Sequence, residues 1–141
     1  MMDVIRLEGP CEIDEMRVSQ LPVPQVNDGW MRVRVAAFGI NESESHSRRG
    51  LSDPDFTYPR VLGIEGVGIV DEVAPGSAFQ PGQQVAFMMG GLGREYDGSY
   101  AHYTLIPERI AIPFASDLDW GTIGAIPEMT QTAYGSLVHA M

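Results

Sequence analysis

The chain has one cysteine, Cys11, in 141 residues. A single thiol excludes an internal disulfide and a thiolate cluster for a metal, and it suits a reducing compartment, so a cytoplasmic location is expected. Basic residues are scarce: 9 Lys and Arg stand against 19 Asp and Glu, giving a formal charge of −10. Binding a nucleic-acid backbone calls for the opposite sign, and no nucleic-acid partner is expected. No apolar run approaches the roughly 18 residues of a membrane-spanning helix, so no membrane partner is expected either. The opening Met1-Met-Asp-Val-Ile-Arg6 shows no positive leader followed by an apolar stretch, and no secretory signal is read there. His46, His102 and His139 share no spacing suited to a metal.

What the chain does have is glycine and proline, 16 and 10 residues, set between short apolar runs. That punctuation favours β structure with many turns. Residues 3–8 and 16–21 read as a first pair of strands. Residues 30–38 alternate, with Met31, Val33 and Val35 on one face and Arg32 and Arg34 on the other, which marks a half-buried strand. Residues 39–50 suit a short polar helix with Asn41 as N-cap, Glu42 and Glu44 in its first turn and Arg48 and Arg49 at its end. Strands are expected at 66–73, 83–88 and 99–106, a short edge segment at 110–113, and helix after Ser116 or Asp117. Pro127 fits the first turn of a last helix.

Several segments carry a family resemblance. Ala36-Ala-Phe-Gly-Ile-Asn41, Arg49-Gly50, Tyr58-Pro59, Gly63-Ile-Glu-Gly-Val-Gly68, Gly98-Ser-Tyr-Ala101 with Tyr103, and Thr132-Ala-Tyr-Gly135 occur in order along nearly the whole chain. Together they resemble the N-terminal, GroES-like domain of the medium-chain dehydrogenase/reductase family, in its zinc-independent quinone oxidoreductase (zeta-crystallin-like) branch. The resemblance implies a mainly β fold with short helices, a partly open GroES-like β-barrel over residues 1–126. Residues 127–141 would then begin the helix leading into a Rossmann cofactor domain that this chain does not contain. The chain departs from the family pattern at Glu42, where a proline usually follows the asparagine, and at Glu44, where an aspartate is usual.

The zinc-dependent branch of that family places a cysteine where Asn41 stands and a histidine where Ile64 stands. A catalytic zinc needs three protein ligands and an open position. Asn41 and Ile64 cannot supply them, Glu65 alone would bind weakly, and no metal is expected. The resemblance implies NADPH, bound mainly by the missing domain, and a small quinone or enone as substrate. Asn41 would then direct its carboxamide at the nicotinamide ribose or the substrate carbonyl, and Tyr58 would line the cleft and bind the substrate oxygen. Thr132 and Met129, one helical turn apart, would meet the cofactor from the last helix. The full-length protein would be a homo-oligomer.

Gly63 to Gly68 superficially resembles a dinucleotide loop, but its order is inverted and a strand follows, so close strand packing is the reading preferred. Met88 and Met89 suit a strand end or an apolar pocket wall. Three alternatives stay open: a zinc-type alcohol dehydrogenase, an enoyl-thioester reductase domain, and a non-catalytic GroES-like interaction module.

Overall fold

A computed structural model describes residues 1–139. Its strands are β1 (Met2–Leu7), β2 (Val18–Leu21), β3 (Trp30–Ala37), β4 (Arg60–Val61), β5 (Glu65–Val73), β6 (Gln84–Met88), β7 (Tyr103–Pro107) and β8 (Ala111–Phe114). The helices are α1 (Glu42–Arg48), α2 (Trp120–Gly124) and α3 (Pro127–His139). The strands form a three-stranded sheet, β2-β1-β4, and a five-stranded sheet, β7-β3-β5-β6-β8, with every pairing antiparallel. Neither sheet closes on itself among the described residues. This is the mainly β, partly open arrangement expected.

Period-two alternation sets the larger core. Met31 and Val33 on β3 are fully buried and meet Val70, Val85, Phe87, Leu92 and Ile106. The outward Arg32 lies along the sheet and pairs with Asp71 and Glu72, each at 2.6 Å. Burying a side chain such as Phe87 contributes about 1.5–3 kcal/mol. A second core joins Met2, Val4 and Leu7 of β1 to Val61, Leu62 and Tyr100. Phe38 stacks on Tyr100 there, with ring centroids 4.4 Å apart.

The glycines of β5 do what close packing requires. A Cβ on Gly68 would lie 2.2 Å from the Arg34 carbonyl oxygen, and one on Gly66 would lie 2.7 Å from the Phe87 ring. Only glycine lets β3 and β6 approach β5 this closely from its two sides. The register between β3 and β5 slips twice, the second time between Val35 and Ala37. Such a bulge bends the strand and turns the chain after it, here towards Gly39 and Asn41.

Two elements lie elsewhere than the sequence pattern indicates. Residues 99–102 do not form a continuous strand with β7: the Ser99 and Tyr100 amides bond back to the Gly63 and Leu62 carbonyls, and Ala101 bridges only to Val4. The N-cap of α2 is Asp119, whose carboxylate accepts the Thr122 amide at 2.9 Å, in place of Ser116 or Asp117. Ser116 is held instead by Gln84, which accepts its N–H at 2.8 Å and donates to its carbonyl at 3.1 Å. Helix α3 begins at Pro127 as expected, while Ala140 and Met141 lie outside the described residues.

Candidate functional site

Asn41 stands where β3 gives way to α1. Its extended backbone makes it the N-cap, and with Glu44 it closes a capping box over the first turn. The Glu44 carboxylate accepts the Asn41 N–H at 2.5 Å with one oxygen and the Ile64 N–H at 3.0 Å with the other. Glu44 is 4% exposed. Desolvation pushes its carboxyl above the ordinary range, although those hydrogen bonds pull the other way.

A second carboxylate lies beside it. Glu65, 1% exposed, accepts the Asn41 side-chain Nδ2–H at 2.9 Å through Oε1 and the Glu128 backbone N–H at 2.8 Å through Oε2. The Glu128 amide belongs to the first turn of α3, where backbone donors have no helical partner and the helix end carries partial positive charge. Ser99 donates its hydroxyl to the Glu65 carbonyl. Burial, reinforced by the nearby charges of Glu44 and Glu65, pushes the Tyr100 phenol well above its usual value.

Of the residues expected to act together, the structure gathers some and separates others. Asn41 and the start of α3 meet through Glu65. Met129 and Thr132 follow on α3 and are exposed, Met129 at 64%. The Thr132 hydroxyl donates to the Glu128 side chain. Tyr58 is apart: its hydroxyl donates to the Ser47 carbonyl, near the far end of α1, and its ring packs on the second core. Asn41 caps the opposite end of that helix, about 10 Å long at 1.5 Å per residue. Desolvation raises the Tyr58 phenol above its usual value.

Glu65 and Glu44 are the site residues that sequence reasoning misses. A signal for Glu44 exists in the Asn41-x-x-Glu44 spacing, a capping-box pattern that places the carboxylate over the asparagine amide. Glu65 reads from the sequence as a lone metal ligand and as a member of the Gly63–Gly68 turn, with no partner indicated.

The donor set does not fit a catalytic zinc. Ile64 is a 7% exposed alkyl group, and both oxygens of Glu65 already accept hydrogen bonds. Among the described residues no three His, Cys, Asp or Glu side chains come together as a metal-holding group. For a nicotinamide cofactor the chain offers a half-buried carboxamide and the open face of α3, which suit the nicotinamide end of such a molecule. Beside α3 runs an apolar groove of about 840 Å³, walled by Met88, Ile110, Ile112, Phe114, Ile126 and Tyr134. Met88 is thus a groove wall, while Met89 turns out at a φ of 59° and is 44% exposed.

A bulged β5-centred antiparallel sheet, a glycine-spaced strand and a capped helix leading into an exposed one define a GroES-like domain of the alcohol-dehydrogenase kind. The Alcohol dehydrogenase GroES-like domain family matches residues 27–116, and the chain belongs to it. Prostaglandin reductase-3 of Bos taurus is 39% identical over 94 residues, covering 65% of this chain and 23% of that protein. Quinone oxidoreductase of Homo sapiens is 28% identical over 138 residues, 97% of this chain and 40% of that one. A solved NAD-dependent alcohol dehydrogenase superposes with a TM-score of 0.89 at 28% identity, covering 99% of this chain and 47% of its own. The chain therefore spans under half the length of these relatives. Among the described residues no helix is long and apolar enough to cross a membrane.

Proposed function

We propose that this chain is the substrate-side domain of a zinc-independent, NADPH-dependent reductase that acts on small quinones or enones. The observation that carries the reading is that Glu44 ties Asn41, an oriented carboxamide, to Ile64, an alkyl group; by the family resemblance these are the positions where the zinc branch holds ligands. The names of the bovine and human relatives, a prostaglandin reductase and a quinone oxidoreductase, support reduction as the reaction class. The exposed apolar side chains of α3, Met129, Tyr134 and Leu137 at 64%, 67% and 69%, suit a surface covered by the cofactor domain of the full-length protein.

A reduced nicotinamide, met at its ribose by Asn41 and at its edge by Thr132 and Met129, would supply a hydride to an electron-poor carbon of the substrate. Negative charge would then gather on the conjugated oxygen. A donor N–H from Asn41 would stabilise that charge, as the metal does in the zinc enzymes, or hold the nicotinamide ribose. Thr132 and Met129 would bound the nicotinamide edge from α3. The final proton would come from solvent in this reading, and the Tyr58 hydroxyl, which donates to the Ser47 carbonyl near the other end of α1, is not set to give it. Replacing Asn41→Ala in the full-length protein should lower kcat/KM for an enone by about 100-fold, the scale of losing one donor to a developing oxyanion. A variant with kcat/KM equal to wild type would remove Asn41 from the reaction.

A further inference from the structure

We propose that Glu65 is the positioning residue of this site: its carboxylate sets which end of the Asn41 carboxamide faces the ligand and ties that orientation to the first turn of α3. The proposal rests on the reading above, in which Asn41 serves the reaction as a donor.

A carboxamide has an NH2 end and a carbonyl end of nearly equal shape, so packing alone does not choose between them. Hydrogen bonding does. The two Glu65 oxygens each accept from an N–H, Asn41 Nδ2 at 2.9 Å and the Glu128 amide at 2.8 Å, as a carboxylate's oxygens do. Only the NH2 end of Asn41 can face such a group. The capping box turns the Asn41 carbonyl oxygen towards the Glu44 amide, which reinforces the same choice. With Glu65 holding one of its hydrogens, Nδ2 keeps a second, which the Glu44 carboxylate also attracts and which a ligand oxygen would have to win. A flipped carboxamide would offer Oδ1 instead and repel an oxygen gaining negative charge.

Two further contacts show that the fold is shaped around this carboxylate. A Cβ on Gly39 would lie 2.2 Å from Glu65 Oε1, so the loop that delivers Asn41 has a glycine where the carboxylate lies against it. The Ser99 hydroxyl holds the Glu65 carbonyl, fixing the backbone from the other side. Because Oε2 holds the Glu128 amide, a shift of α3, which carries Met129 and Thr132, moves the same carboxylate that orients Asn41.

The test uses the full-length protein and four variants. Glu65→Gln removes the all-acceptor character of residue 65, and Gly39→Ala displaces the carboxylate while leaving every charge in place. Each should lower kcat by about 10–100-fold, the cost of misplacing a reacting group by a fraction of an ångström to one ångström, with KM for the nicotinamide changed only a few-fold. The double variant Asn41→Asp, Glu65→Gln reverses the hydrogen bond, with the introduced glutamine now donating. It should recover the melting temperature lost in Glu65→Gln but not kcat, since the ionised aspartate that replaces Asn41 has no N–H to give. Recovery of both together would make the contact a packing feature only and overturn the proposal. So would wild-type kcat in Glu65→Gln while Asn41→Ala is impaired. Wild-type kcat/KM in Asn41→Ala strikes the underlying reading instead. A readout on the wild-type protein needs no variant to fold: with 15N-labelled asparagine, one Asn41 side-chain amide proton should exchange with solvent slowly and its twin quickly. Equal, fast exchange of both would overturn the role given to Glu65.

Discussion

Glu44 is buried to 4% exposure between the Asn41 and Ile64 amides, and desolvation outweighs those two hydrogen bonds in lifting its carboxyl pKa above 4.5. In the window between 4.5 and that raised value the folded state binds more protons than the unfolded state. Folding stability therefore falls as pH rises through the window, and the contribution of Glu44 is greatest below it. Relative to Glu44→Gln, which has no such proton to release, the wild-type protein should lose stability as pH is raised from about 4 to about 7, measured by urea unfolding at a series of pH values. A difference between the two proteins that stays flat, or grows with pH, would contradict the assigned shift. At this scale the sequence showed Asn41 and its helix, because N-cap chemistry is local. It did not show Glu65 holding Asn41, since 24 residues separate the two and only the β3–β5 pairing brings them together. Tyr58 shows the converse: a tyrosine before a proline reads equally well as a cleft or as packing, and the acceptor that decides, Ser47, is fixed by the position of α1.

The elements rest on two demands, alternation and close approach. Along β3 the buried Met31 and Val33 alternate with Arg32 and Arg34, and that strand was legible because its period is independent of partners. Gly68 is where the second demand is sharpest, its missing Cβ leaving room for the Arg34 carbonyl. Gly68→Ala should cost about 1–3 kcal/mol by overpacking, whereas Gly9→Ala, with nothing within 4 Å of the added carbon, should stay near neutral. Denaturant unfolding of the two variants compares them directly, and equal midpoints would show that β3 and β5 are free to move apart. The start of β7 and the cap of α2 were not legible for a related reason. Ser99 and Tyr100 follow an apolar-alternating pattern, yet their amides are claimed by the Gly63–Leu62 backbone. Ser116 is an ordinary N-cap residue, but Gln84 holds its backbone and the cap falls to Asp119.

Across the whole molecule, two open sheets and two cores place one half-buried, doubly carboxylate-held asparagine next to the start of an exposed helix. The glycine and proline punctuation announced the mainly β class. The order of the resembling segments announced the family, which the match over residues 27–116 establishes. Helix α3 meets Asn41 through Glu65, and its exposed apolar side chains stand beside the 840 Å³ groove. The central claim of the proposed function is that an amide and an alkyl side chain occupy the seats of metal ligands, so that reduction would run on the nicotinamide and local polarity alone. The most direct test is to dialyse the full-length protein against a strong chelator and then follow NADPH oxidation with a small enone, with and without added Zn²⁺. The account predicts an undiminished rate that zinc does not raise. Activity that disappears with the chelator and returns with zinc would contradict it.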